Sequence, residues 1–332
     1  MVRLASITVV VALVAAGCSI GGGDETLTVY SGRSEELIGP LIDQFEDETG
    51  IDVAVRYGGS AEIAATLLEE GGNSPADVVF TQDPASIGAV AQAGMLAELP
   101  GDILSVVPTN LSDANGRWVG VSGRARTLVY DTTLYQRSDF PPTEDGLTDE
   151  AWAGRVGIAP ANGSFLAFVA AKILLDGEDE TLSWLEGMAA NRSPSYPKNS
   201  PIVAAVTDGQ LDSGLVNHYY LLRRLVEQPD ATAENYFFPT ASAGSLVMPA
   251  AVGVLTTANN TDAADRFIRY LLSEKSQRFF ATETFEYPLL PGVPANPALP
   301  PIGSIPIPDI DLSDLATVLD RATDLVAEAG LL

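Results

Sequence analysis

The sequence predicts an α/β protein of two lobes with a binding cleft between them, and three features carry that expectation. Short apolar strands alternate with amphipathic helices from Leu27 onward, and a second run of the same alternation starts near Gly154. Two long extended stretches, "GRWVGVSGRARTLVYD" and "YFFPTASAGSLVMPAAVGVL", leave the first unit and cross back to it. Two crossings between two α/β units describe a hinged clamshell whose ligand sits between the lobes.

Element by element, "LTVYSG" is a short apolar strand. The helix "SEELIGPLIDQFEDETG" follows, with Leu37, Leu41, Ile42 and Phe45 at helical spacing and Gly50 as its stop. "IDVAVRYGG" is the next strand, "SAEIAATLLEEGG" a helix, "ADVVFTQ" a buried strand and "PASIGAVAQAGM" a helix, an order that indicates a mostly parallel sheet. Ligands of such sheets lie beyond the carboxyl ends of the strands, so "SGRS", "YGGSAE" and "FTQDPAS" are candidate site loops that share one edge. The second unit runs from "GRVGIAP" through the helices "FLAFVAAKILLDG" and "DETLSWLEGMAAN" to the strand "DSGLVN". After the return crossing come one amphipathic helix, "TDAADRFIRYLLSEKSQRFFAT", a proline-rich segment and a terminal helix, "LSDLATVLDRATDLVAEAG". The expected boundaries are 27–119 and 240–292 for the first lobe, 120–239 for the second, and 293–332 for a C-terminal segment packing on the second lobe.

With 332 residues, 46% of them hydrophobic, each lobe can bury an ordinary core. The 44 acidic against 18 basic residues give a formal net charge of −26, which disfavours nucleic acid and anionic membrane surfaces as partners and favours attraction of cations. "MVRLASITVVVALVAAGC" carries one basic residue and an apolar run too short to span a bilayer, the pattern of a secretory signal peptide covering residues 1–17. "VAAGC" resembles a bacterial lipobox, which would make Cys18 the lipidated first residue and 18–26 a flexible tether to the outer face of the cell membrane. Cys18 is the sole cysteine, so the chain can hold neither an intrachain disulfide nor a thiolate metal cluster.

"LVNHYYLLRR" places Tyr219 and Tyr220 where a strand gives way to a helix, at the cleft edge of the second lobe. Neighbouring side chains on a helix point about 100° apart, so both can face one point only in the first turn. Packing, an aromatic surface and ligation of a hard cation all stay open for the pair. A trivalent cation would have to displace protons from groups whose ordinary pKa is about 10. The lone His218 beside them lacks the partners of a zinc site and reads as structural. "APANGSFLAF" offers Asn162 or Ser164 as a helix cap and, with Gly163, backbone N–H groups for an anion. Arg33 and Arg124 are forks for a carboxylate, carbonate or phosphate, or else ion-pair partners of nearby acids. The chain carries no nucleophile elbow, Cys-His pair, Walker loop or dinucleotide fingerprint, so it is not expected to be an enzyme.

Taken in order, "LTVYSGRSEEL", "FEDETGIDV", "PADVVFTQDPAS", "VGVSGRARTLVYD", "PANGSFLAF", "YPKNSPIVAAVTDGQLDSGLVNHYY" and "EYPLLPGV" resemble the periplasmic ferric-iron-binding proteins of ABC importers, from Leu27 to Val293. The resemblance implies a type II periplasmic-binding-protein clamshell, a transferrin-like iron site, Fe3+ as cargo, and delivery by a monomer to the permease and ATPase of a membrane importer. It makes Tyr219 and Tyr220 the iron ligands. It places a synergistic anion, carbonate or phosphate, on Asn162, Gly163, Ser164, Asn199 and Asn217, with Arg33 where carbonate-using members carry an arginine. Some members have a histidine and a glutamate where this sequence has Ser34 and Gln82, and others add a third tyrosine that "PANGSF" lacks. Anions, water or Asp83 are then expected to complete the coordination, and Ser60 and Arg124 are further cleft candidates. The alternative keeps the clamshell but gives it an organic or oxyanion solute, such as a phosphorylated compound, a polyamine or thiamine, held without metal.

Overall fold

The structure, a computed structural model, describes residues 26–332. The expected signal peptide, the Cys18 lipidation site and all but the last residue of the expected tether lie outside the described residues. Among the described residues no helix is long and apolar enough to cross a membrane.

The chain opens with β1 (Leu27–Ser31), α1 (Glu35–Thr49), β2 (Val53–Tyr57), α2 (Ser60–Glu70), β3 (Val78–Thr81), α3 (Pro84–Gln92) and the short α4 (Gly101–Leu104). β1 pairs in parallel with both β2 and β3. The helical spacing in α1 sets Leu37, Ile38, Leu41, Ile42 and Phe45 into the core, each removal of such a side chain from water contributing about 1.5–3 kcal/mol. Next comes β4 (Val119–Asp131), buried along its whole length.

The second unit comprises β5 (Val156–Gly157), α5 (Gly163–Asp176), α6 (Glu178–Ala190), α7 (Asn199–Thr207), β6 (Ser213–Asn217), α8 (Tyr219–Glu227) and β7 (Ala233–Tyr236). The chain then forms β8 (Val247–Val254), α9 (Thr261–Leu271), α10 (Glu274–Thr282), β9 (Tyr287–Pro288) and, after the proline-rich segment, α11 (Leu319–Glu328). The strand path is β2-β1-β3-β8-β4-β6-β5, with β7 and β9 also on β4. β4 is the shared strand: Val119–Ala125 pairs with β8, whereas Arg126–Tyr130 pairs with β6.

Three expectations need correction. The sheet is mixed rather than mostly parallel, because the crossing strands β4 and β8 run against their neighbours β6 and β3. The single amphipathic helix after β8 is two, since α9 ends at Leu271 and the Ser273 hydroxyl accepts the Ser276 N–H at 3.3 Å to start α10. The terminal helix is a 3-10 turn over Leu312–Val318 followed by α11, with Asp311 accepting from the Ser313 N–H at 2.9 Å. That turn packs on both α3 and α5, while α11 lies on α5 and α6. The C-terminal segment, expected on the second lobe, therefore also touches a helix of the first run. α7 and β7, short elements without a strong period, were not anticipated from the sequence.

β6 is approached closely from one side. A Cβ at Gly214 would overlap Cγ2 of Ile202 and stand 3.1 Å from the Gly157 carbonyl. Gly214→Ala is expected to lower stability by about 1–3 kcal/mol, read as a lower urea midpoint at unchanged m value. An unchanged midpoint would mean that α7 yields freely to the added methyl.

Candidate metal and anion site

Strand β6 ends at Asn217, and Tyr219 and Tyr220 are the first two residues of α8. There the helix geometry still allows convergence: the two rings stack with centroids 4.2 Å apart and planes 28° apart. Tyr219 is buried, Tyr220 half-buried. Burial pushes the Tyr219 phenol well above its ordinary range, and the charge of Tyr220 adds to the effect. The turn that aims them is fixed by His218. Its Nδ1 accepts the Ala125 N–H at 3.0 Å, so Nε2 carries the proton and donates to the Phe285 carbonyl at 2.9 Å. Burial pushes this imidazole down to about 4, which keeps it neutral, and both nitrogens are used in structure rather than ligation.

The three loops at the ends of β1, β2 and β3 share one edge, as the topology requires. Ser60 laces them together, its hydroxyl accepting the Gln82 N–H at 2.9 Å and facing the Gly32 carbonyl at 3.5 Å. Gly32 is required here, since any Cβ would collide with the Ser60 side chain. Arg33 emerges from the same turn fully buried, and its guanidinium grips Glu286 through two bonds of 2.8 and 2.9 Å. Ser122 and Thr284 hydroxyls complete the Glu286 environment at 2.7 and 3.2 Å. Asp83 has another role: its carboxylate takes the Ser86 N–H at 2.8 Å and hydroxyl at 3.1 Å, capping α3. Ser34 is exposed at the start of α1 and makes no side-chain cap there.

On the opposite side, Asn162 caps α5 by accepting the Ser164 N–H at 3.1 Å, and the Ser164 hydroxyl donates to the same oxygen at 2.7 Å. Asn199, first residue of α7, joins them by donating to Ser164 Oγ at 3.1 Å. Gly163 is the first residue of α5. Asn217 sits opposite Arg126 in the β4–β6 register, and neither polar atom of its side chain has a partner.

Arg126 and Glu286 are the residues that reading the sequence missed. Arg124 and Arg126 are two apart on β4, hence on one face, and both are buried. Arg124 makes one long bond, 3.4 Å to Gln82 Oε1, and its Nε and Nη2 have none. Arg126 gives one bond of 3.3 Å to the Leu215 carbonyl, leaves Nε and Nη1 without partners, and stacks within 5.3 Å of the Phe168 ring. Burial pushes Arg126 down to about 9, opposed by the neighbouring Tyr220. Glu286 and Arg124 act on Tyr219, and Tyr219 and Tyr220 act on Arg33, so these groups form one electrostatic unit. Its balance is three guanidinium groups against one carboxylate, an excess of two positive charges. The alternation "RAR" inside an otherwise apolar strand and the single acid in "TFEYPLL" were the signals available.

For Glu286, burial would raise the carboxyl, but the Arg33 charge and hydrogen bonds override it and hold it below its ordinary 4.5. Its contribution is therefore complete above that value and is lost as the pH falls beneath it. Glu286→Gln leaves Arg33 buried without a counter-charge and is expected to cost about 3–5 kcal/mol at pH 7 in urea denaturation. The variant should also lose the wild type's acid-dependent step below pH 4.5.

A family model described as bacterial extracellular solute-binding protein matches residues 40–301. The Fe(3+)-binding periplasmic protein of Serratia marcescens is 31% identical over 96% of this chain and 95% of its own length. Among solved structures, iron-bound HitA from Pseudomonas aeruginosa superposes with a TM-score of 0.86 at 33% identity, covering 92% of this chain and 99% of that one. A Trichodesmium protein in complex with iron and citrate ligands gives 0.82 at 28% identity over 92% of this chain and 100% of that one. The two-unit sheet with its shared strand is the type II periplasmic-binding-protein fold, and the chain belongs to the bacterial extracellular solute-binding proteins, among the periplasmic ferric-iron-binding proteins.

Proposed function

We propose that this protein is a lipid-anchored solute-binding protein that captures ferric iron together with a synergistic anion between its two lobes and hands it to the permease of an ABC importer. The observation that carries the reading is the stacked pair Tyr219 and Tyr220 facing an unbalanced guanidinium cluster. Ferric iron is a hard cation that favours anionic oxygen, and two phenolates cancel two of its three charges. A metal alone would be repelled by the excess on Arg124 and Arg126. A dianion such as carbonate or hydrogen phosphate offsets that excess, bonds the open guanidinium and Asn217 donors, and rests on the α5 terminus with Asn162, Gly163, Ser164 and Asn199. Its oxygens also supply coordination that Ser34 and Asp83 do not offer. The names of the Serratia and Pseudomonas relatives support the cargo, and the citrate in the Trichodesmium complex supports an anionic co-ligand.

Adding a ferric salt with bicarbonate should produce a visible phenolate-to-iron charge-transfer band that Tyr219→Phe and Tyr220→Phe together abolish. Because each phenol loses a proton, affinity should fall as the pH is lowered. Absence of the band in the wild type, or its survival in the double variant, rejects the reading. Arg126→Gln should weaken bicarbonate-dependent iron binding roughly 10- to 100-fold, the scale of a lost bond to a charged group. The open guanidiniums would equally suit a carboxylated or phosphorylated solute without metal; tight calorimetric binding of such a solute to metal-free protein would favour that second reading.

A further inference from the structure

We propose that Glu36 and Arg223 form an ion pair across the cleft that latches the closed lobes beside Tyr220, an inference that rests on the iron-capturing reading above. Glu36 lies in the first turn of α1, just after the Arg33 loop. Arg223 lies on α8 three residues after Tyr220, so the two share one face of that helix. Both charged groups line a single cavity of about 480 Å³, together with Tyr220, Arg224 and Glu227 of α8 and with Ser200 and Val203 of α7. Neither has an ion-pair partner among the described residues, whose ion pairs are otherwise made by neighbours such as Arg224. The next residue, Arg224, is already engaged by Asp208 at 3.1 Å and Glu227 at 3.5 Å, which leaves Arg223 as the uncommitted cation.

Opposite charges lining one water-accessible cavity attract, and a closure that narrows the cavity would bring α1 toward α8. Tyr220 is the less buried of the two phenols. A pair formed over it covers the route by which water or a competing chelator would reach a metal held on that oxygen. Glu36 and Arg223 are therefore positioning residues of the closed state, not iron ligands.

The protein is loaded with Fe3+ and bicarbonate, and iron release to excess EDTA is followed by decay of the charge-transfer band. Glu36→Gln and Arg223→Gln should each speed release about two- to five-fold, in keeping with an exposed pair. The combined variant should be no faster than either alone, the charge swap Glu36→Arg with Arg223→Glu should restore slow release, and high salt should abolish the differences. Glu35→Gln, on the same turn but not lining the cavity, should release at the wild-type rate. Wild-type release by Glu36→Gln, additive effects, or a failed swap overturns the latch; a displaced band in Glu36→Gln overturns it in favour of direct ligation. If the wild type forms no band, it is the iron reading that fails. The latch is then decided by small-angle scattering, where the single variants must be more open than both wild type and swap.

Discussion

Two guanidinium groups without carboxylates of their own, Arg124 and Arg126, lie buried on one face of the strand that both halves of the sheet share. Burying an unmatched charge is expensive, and a fold keeps such groups only where something completes them. The molecule does so for Arg33, which has Glu286 in a fork-to-fork contact. It does not for the other two, whose remaining donors point at no protein oxygen. The excess of positive charge is thereby placed on the strand where the elements of both units meet.

The local field is opposite in sign to that of the whole chain. A formal charge of −26 draws cations toward the surface, whereas the buried cluster of Arg33, Arg124, Arg126 and Glu286 carries an excess of positive charge. A cation and an anion arriving together satisfy both fields, and neither does so alone. This charge balance is the physical basis on which the proposed joint binding of a metal and its anion rests.

The placement of the tyrosine pair is set by hydrogen bonds of the residues around it. His218 bonds β4 through Ala125 and the segment before β9 through Phe285, whose φ of 59° is uncommon for a residue with a side chain. The next residue is Glu286, which holds Arg33. One short path of bonds thus connects the turn bearing the tyrosines to the loop after β1. Ser60 does the same for the three loops of the first unit, so the site is framed by hydrogen bonds rather than by mobile side chains.

The sequence by itself determined the alternating elements of the first unit, the helix start at Asn162 and the position of the tyrosines at a strand-to-helix turn, because each is written in periodicity or capping within a few residues. It also marked the family through ordered local motifs. Only the tertiary structure decided which arginine is neutralised, since Arg33 and Glu286 are 253 residues apart and no local rule links them. The same holds for the mixed sheet, whose direction is set by how the crossing strands return, and for Asp83, whose carboxylate the start of α3 claims. Local patterns fix what a segment can form; the charge balance of a buried site is a sum over distant segments and exists only once they are packed together.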